Sequence, residues 1–224
     1  MMDQTPIWLM AIGMGVYQGI NPPMGWLRAV GSGLETRSER AVLLGTWALA
    51  FGHFLSMAVI LVPLGIAFAV LNAGLLSMSA AMRAGSLASV VLIGFGAYKI
   101  LRPQHPRFIA RIRPDRPVHW SFCMGLTHCA SPVMMVPMLI NLTLMSTWAA
   151  AFGPHLGGQI LGATVIALAV SAAMAVPLFL TGSAVALVVF RRLGLRAITR
   201  YWVNLDLGWA VMFVLMGIMG ITMG

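Results

Sequence analysis

Acidic residues are the scarcest feature of this sequence. Among its 224 residues, Asp and Glu together number five, and only 8% of all residues are charged. The paired carboxylates of acid–base catalysis do not occur, nor do a nucleophile motif, a glycine-rich phosphate loop or a multi-cysteine zinc spacing. The sequence therefore argues against an enzyme. Because no carboxylate lies at the centre of an apolar segment, a hard divalent cation would also be poorly neutralised.

Cysteine is almost as scarce, with two residues in the whole chain. Cys123 and Cys129 lie six residues apart on one predicted helix, which is farther along the axis than a disulfide allows. We therefore expect two free thiols. The N-terminus lacks the basic region and cleavage site of a secretory signal, so the first apolar segment is predicted to be retained.

Apolar residues, by contrast, dominate: 60% of the chain is hydrophobic and its mean hydropathy is +0.92. These values are typical of an integral membrane protein, because a soluble domain of this length would be far more polar. The sequence predicts an all-α integral membrane protein in the lipid bilayer, with one transmembrane domain over residues 1–224. Its six predicted spans lie at about 7–31, 41–72, 82–101, 120–145, 157–190 and 201–223.

The net charge of +9 does not indicate nucleic-acid binding, because the basic residues are confined to particular loops. All of the 14 Lys and Arg residues except Arg83 lie in or beside the loops after spans one, three and five. The positive-inside rule places those loops in the cytoplasm and both termini outside it. We expect a multi-pass protein of a bacterial inner membrane. The first of these loops, GLETRSERA (33–41), is predicted to be a solvated turn with internal ion pairs.

Prolines interrupt two of the predicted spans. In GVYQGINPPMGW, Pro22 and Pro23 remove two helical hydrogen-bond donors, so the first span is predicted to break near Asn21. In WSFCMGLTHCASPVMMVP, Pro132 and Pro137 should kink or open the fourth span. Non-helical backbone at bilayer depth is tolerated only where it is buried in protein or lines a cavity. The two breaks are therefore predicted to line a substrate pathway.

Histidines mark the middle of two spans. His128 lies beside the second proline break, and ionisable groups inside a membrane usually face a pathway or a partner. A histidine bonded to a neighbouring helix is the structural alternative. In the second span, GHFLS places His53 and Ser56 on one helical face, while Gly52 allows close approach of a backbone or a ligand.

The two halves of the chain share one pattern, in which a proline-broken span precedes an over-long proline-containing span and a short one. SMAVILVPL (56–64) also resembles SAAMAVPL (171–178). Three spans per half predict a 3+3 inverted repeat, with repeat one over about 1–101, a basic cytoplasmic loop over about 102–119 and repeat two over about 120–224. Substrate is then expected near the midplane, where the broken helices meet.

Three motifs carry a family resemblance: NPPMGW (21–26), GHFLS (52–56) and THCASP (127–132). With its six-span architecture, the chain resembles the lysine-exporter superfamily of membrane transporters, nearest to its nickel and cobalt exporters. The resemblance implies an inverted-repeat fold and export of a small solute or cation. The chain departs from the nickel and cobalt exporters in having Asn-Pro-Pro where they have a histidine and aspartate cluster. It departs from the electron carriers of the superfamily because both cysteines lie in span four.

The first functional hypothesis is export of a transition-metal cation, since imidazole and thiol suit nickel, cobalt, zinc or copper. Its predicted ligands are His53, His128 and Cys129. The predicted substrate pathway comprises Asn21, Pro22, Pro23, Gly52, Ser56, Ser131 and Pro132.

Two other hypotheses remain open. One is export of a small organic solute such as an amino acid, whose charged groups would face the interrupted helix ends. The other is a membrane subunit or assembly factor of a partner enzyme, with the histidines structural or bound to haem. The candidate protein partners are a second copy of the chain, as a homodimer, or a membrane protein.

Overall fold

The computed structural model describes residues 5–21, 25–74, 78–101, 116–127, 135–136, 139, 152–193 and 205–223. Every regular element within these ranges is helical, which confirms the all-α prediction. The elements are α1 (Thr5–Ile20), α2 (Trp26–Thr36), α3 (Glu39–Gly74), α4 (Met78–Leu101), α5 (Pro117–Thr127), α6 (Leu156–Val188), a π-helical turn (Val189–Leu193) and α7 (Leu205–Met223).

The first apolar segment is divided, as the double proline predicts. Helix α1 ends at Ile20 and α2 begins at Trp26, while Pro22 and Pro23 lie outside the described residues. Gly25 precedes α2 with a φ of 102°, in the left-handed region that favours glycine. The indole N–H of Trp26 donates to the Ile20 carbonyl at 3.2 Å, so a side chain satisfies one of the carbonyls at the end of α1.

The predicted turn GLETRSERA differs from the structure in two respects. Helix α2 continues to Thr36 and α3 begins at Glu39, so only a short connection remains, where Arg37 has a φ of 50°. Glu39 does not pair within this segment. Its carboxylate accepts two hydrogen bonds from the Arg191 guanidinium, at 2.7 and 2.6 Å, across 152 residues of sequence. The prediction of internal ion pairs is wrong for Glu39, because helix packing brings a closer cation to it.

Within the described residues, two helices, α3 and α6, are long and apolar enough to cross a membrane, over Glu39–Leu71 and Leu156–Arg192. Helix α3 has 36 residues, or about 54 Å at 1.5 Å per residue, and continues through Pro63. The apolar windows of α3 and α6 are only 28% and 44% buried, unlike the core helices of a soluble protein. Large apolar side chains such as Leu44, Val176 and Leu180 are more than half exposed. These features favour a membrane protein over a soluble one.

Contacts between helices fix their relative directions. Helices α3 and α6 are antiparallel, since Thr46 bonds to Ser183 near one end and Gly65 faces the backbone of Ala163 near the other. Helices α4 and α7 are also antiparallel, by the pairs Gly96–Ala210 and Ser89–Gly217. Two further pairs are parallel: α1 with α6, by Gly15–Met174 and Gly19–Gly182, and α5 with α3, by Ser121–Leu49 and Gly125–Ser56.

The buried apolar side chains of the described helices form two clusters. The smaller lies where α2 meets α3 and the end of α6, and includes Trp26, Val30, Val42 and Val189. The larger unites α1, α3, α4, α6 and α7 with Met135 and Leu139. Its members are Ile7, Ala11, Met14, Met57, Leu61, Leu92, Met135, Leu139, Ile166, Ala167, Val170, Met174, Phe213 and Met216.

Candidate functional site

His53 lies in the middle of α3 and is completely buried, with 0% of its surface exposed. Within the described part of the chain, neither its Nδ1 nor its Nε2 has a hydrogen-bond partner. The Ser56 hydroxyl donates instead to the His53 backbone carbonyl, at 2.7 Å. A buried polar group without a partner is costly, so the unpaired imidazole makes His53 a candidate functional residue.

Helix α5 covers His53 with a glycine. A β-carbon added at Gly125 would overlap Ser56 and stand 3.5 Å from His53 Nδ1. The absence of a side chain at Gly125 therefore leaves α5 in close contact with the face of α3 that carries the imidazole. His53 and Ser56 were predicted to share a face, and this shared contact with Gly125 confirms it.

Gly52 lies where α3 and α5 approach most closely. A β-carbon there would overlap the Val118 carbonyl and stand 2.8 Å from Ser121 Cβ. The Ser121 hydroxyl donates to the Leu49 carbonyl at 2.5 Å, which joins the two helices one turn before His53. The close approach predicted at Gly52 is therefore made by the backbone of α5. Its part in a substrate pathway stays a prediction.

Asn21 forms the second buried polar position, at the break after α1, and is 1% exposed. Its backbone N–H donates to the Tyr17 and Gln18 carbonyls, at 3.1 and 3.2 Å. Neither its side-chain oxygen nor its nitrogen is bonded to any residue in the ranges described. The free amide therefore offers both a donor and an acceptor beside an interrupted helix.

A small cavity of about 10 Å³ lies at the same break. This is close to the smallest volume that holds one water molecule. Four helices contribute its lining, which comprises Gln18, Gly19, Trp26, Thr46, Leu49, Leu178 and Gly182. The cavity thus lies where α1 and α2 meet α3 and α6.

Hydroxyl groups near this cavity were missed by the sequence analysis. Thr46 Oγ1 and Ser183 Oγ are 2.8 Å apart, both buried, and join α3 to α6. Thr181 donates to the Pro177 carbonyl at 2.7 Å. The only available signal was the presence of single hydroxyl residues within long apolar segments, and sequence does not say which two of them meet.

Several predicted site residues lie outside the described residues: Pro22, Pro23, His128, Cys129, Ser131 and Pro132. Whether His128 meets His53 therefore stays a prediction. No group of three or more His, Cys, Asp or Glu residues that could hold a metal occurs among the residues described. His119 and His155 are exposed and take no part in the buried site.

Two buried positions are therefore candidates: the unpaired His53 under Gly125, and the unpaired Asn21 amide at the helix break. The lysine-exporter resemblance stays a prediction for this fold and site. Comparison of the chain with protein-family models, curated proteins and solved structures finds no match.

Proposed function

We propose that the chain is a six-span secondary transporter that exports a transition-metal cation past His53. The observation that carries this proposal is the complete burial of an imidazole with no partner in the described ranges, in the middle of a helix long enough to span the membrane. Ionisable residues in transmembrane helices are rare, and they typically face a transport pathway or a partner group.

The helix contacts support a 3+3 inverted repeat. In such a repeat, each helix of the first half has an equivalent in the second half. The first span (α1 and α2) is equivalent to the fourth, which includes α5. Helix α3 is equivalent to α6, and α4 to α7. The parallel contact α1–α6 then becomes the parallel contact α5–α3. The antiparallel contacts α3–α6 and α4–α7 map onto themselves. Inverted-repeat transporters bind substrate near the midplane between their halves.

In the proposed repeat, His53 would lie close to the midplane. It lies on α3 between Thr46 and Gly65, the two positions where α3 contacts α6 near either end of their crossing. A neutral imidazole is a good ligand for nickel, cobalt, zinc or copper. We assign His128, three residues after Gly125 in sequence, and Cys129 as further ligands on the same basis of donor chemistry.

Asn21 favours a second candidate function, export of a small organic solute. Its unpaired amide lies beside the carboxyl end of α1, where the helix dipole attracts positive charge. The protonated amine of an amino acid would donate to the amide oxygen there. In that case His53 would serve as a proton or gate residue rather than as a metal ligand.

Metal binding by the purified full-length protein tests the proposal. Nickel, cobalt, zinc and copper binding are measured for the wild type, His53→Ala, His128→Ala and the exposed-site control His155→Ala. We expect stoichiometric binding in the wild type and His155→Ala, with loss in the other two variants. Equal binding in all four proteins, or no binding in any, would contradict a His53 metal site and favour the organic-solute function.

A further inference from the structure

We infer that the His53 site takes a soft, monovalent cation of the Cu⁺ type, held by methionine thioethers together with the imidazole. This inference rests on the proposed metal transport and specifies its substrate class. It draws on three fully buried methionines from three different helices, Met14, Met57 and Met174, each with 0% exposure.

Met57 lies one helical turn after His53. Residues four apart on an α-helix share a face, so the thioether and the imidazole project from the same side of α3. Both side chains are completely buried. The pair offers one nitrogen and one sulfur donor from a single helix.

Met174 of α6 lies at the same level. Thr46 of α3 contacts Ser183 of α6, and the two helices are antiparallel. Met174 lies nine residues before Ser183, so it is level with the residue nine positions after Thr46. That residue is Leu55. The contact between Gly65 and Ala163 gives nearly the same level for Met174, opposite Phe54. Met174 is therefore level with the turn between His53 and Met57.

Met14 of α1 completes the group. Its neighbour Gly15 packs directly against the Met174 backbone, where an added β-carbon would overlap the Met174 carbonyl. Met14, Met57 and Met174 belong to one cluster of buried side chains in contact. Three helices thus bring three thioethers to the level of one unpaired imidazole.

The chemistry of these donors selects the ion. Thioethers are soft ligands that favour Cu⁺ over magnesium, calcium or manganese. All four donors are neutral, and burying a charge without compensation is costly, so a monovalent ion suits them better than a divalent one. Methionines also fill gaps in apolar cores, and in that role leucine would replace them at little cost.

Titration of the detergent-purified full-length chain with Ag⁺, a redox-stable ion of the same softness and charge, tests this inference. The variants are Met57→Leu and Met174→Leu, with Met216→Leu as the matched control. Met216 is equally buried in the same cluster but belongs to α7, which pairs with α4. We expect Ag⁺ affinity to fall at least about tenfold in the first two variants and to be unchanged in the control.

Parallel titrations of the same proteins with Ni²⁺ and Zn²⁺, and of His53→Ala with all three ions, separate the two proposals. Ag⁺ bound by the cysteines alone would be unaffected by Met57→Leu and Met174→Leu. Unchanged Ag⁺ affinity in these two variants would therefore overturn the thioether site. Binding of Ni²⁺ or Zn²⁺ that depends on His53, with weaker Ag⁺ binding, would overturn the inference and leave the metal-transport proposal intact. Failure of all three ions to bind would overturn both.

Discussion

Gly125 of α5 lies so close to Ser56 of α3 that a β-carbon at Gly125 would overlap the Ser56 hydroxyl and stand 2.6 Å from its Cβ. The contact leaves no room for a side chain beside the buried imidazole. It makes the α3–α5 seam the part of the site that is most sensitive to added volume.

We predict that Gly125→Ala lowers the free energy of unfolding by roughly 1–3 kcal/mol, the usual cost of adding atoms to a well-packed interior. It should also weaken metal binding, because the two helices must separate. Gly94→Ala on α4 is the control, since open space surrounds that position. Thermal unfolding in detergent measures both variants, and equal stability of the two would show that the seam is loosely packed.

The α1–α6 seam gives a second prediction, with both variants on one helix. Gly15→Ala would drive a β-carbon into the Met174 carbonyl, whereas Gly13 faces open space. Gly15→Ala should therefore destabilise the protein, while Gly13→Ala should be neutral or raise stability by up to about 1 kcal/mol through helix propensity. If both substitutions raised the melting temperature alike, the close packing of these helices would be refuted.

A third prediction separates the stability role of His53 from its ligand role. Because its ring nitrogens have no partner among the described residues, His53→Leu should leave the unfolding free energy of the metal-free protein unchanged or slightly higher. Metal binding should nevertheless be lost. A structural histidine bonded to a neighbouring helix would behave differently, since its replacement would cost about 1–3 kcal/mol. Chemical denaturation of metal-free samples distinguishes the two cases.

The ion pair between Glu39 and Arg191 provides a fourth prediction. Both side chains are about half exposed, so Glu39→Arg alone should have a small effect that decreases at high salt. The double variant Glu39→Arg, Arg191→Glu should recover the wild-type melting temperature, because it restores an opposite-charge pair. Melting curves at low and high salt measure both variants. The absence of recovery in the double variant would indicate that these groups do not interact in the folded protein.

The parts of this architecture that sequence predicted are those set by local chemistry. Pro22 and Pro23 predicted the break after Ile20 because each proline removes a donor from its own helix. His53 was named as a candidate because an ionisable residue stands out in an apolar segment. The structure shows that it is buried, and its role as a ligand stays a prediction.

The parts that sequence did not predict depend on which helices pack together. The pairs Thr46–Ser183 and Glu39–Arg191 join residues 137 and 152 positions apart, and no local pattern indicates either. The grouping of Met14 and Met174 follows from the Gly15 contact, which likewise exists only once α1 and α6 are assembled.

Transport by the reconstituted protein tests the central claim most directly. Full-length wild type and His53→Leu are incorporated into proteoliposomes containing a metal-sensitive dye, and the flux of Ag⁺ and Zn²⁺ across the membrane is followed. We predict protein-dependent flux of metal in the wild type and background flux in His53→Leu, with equal amounts of folded protein in both samples. Equal flux through the two proteins, or no flux through either, would contradict metal transport past His53.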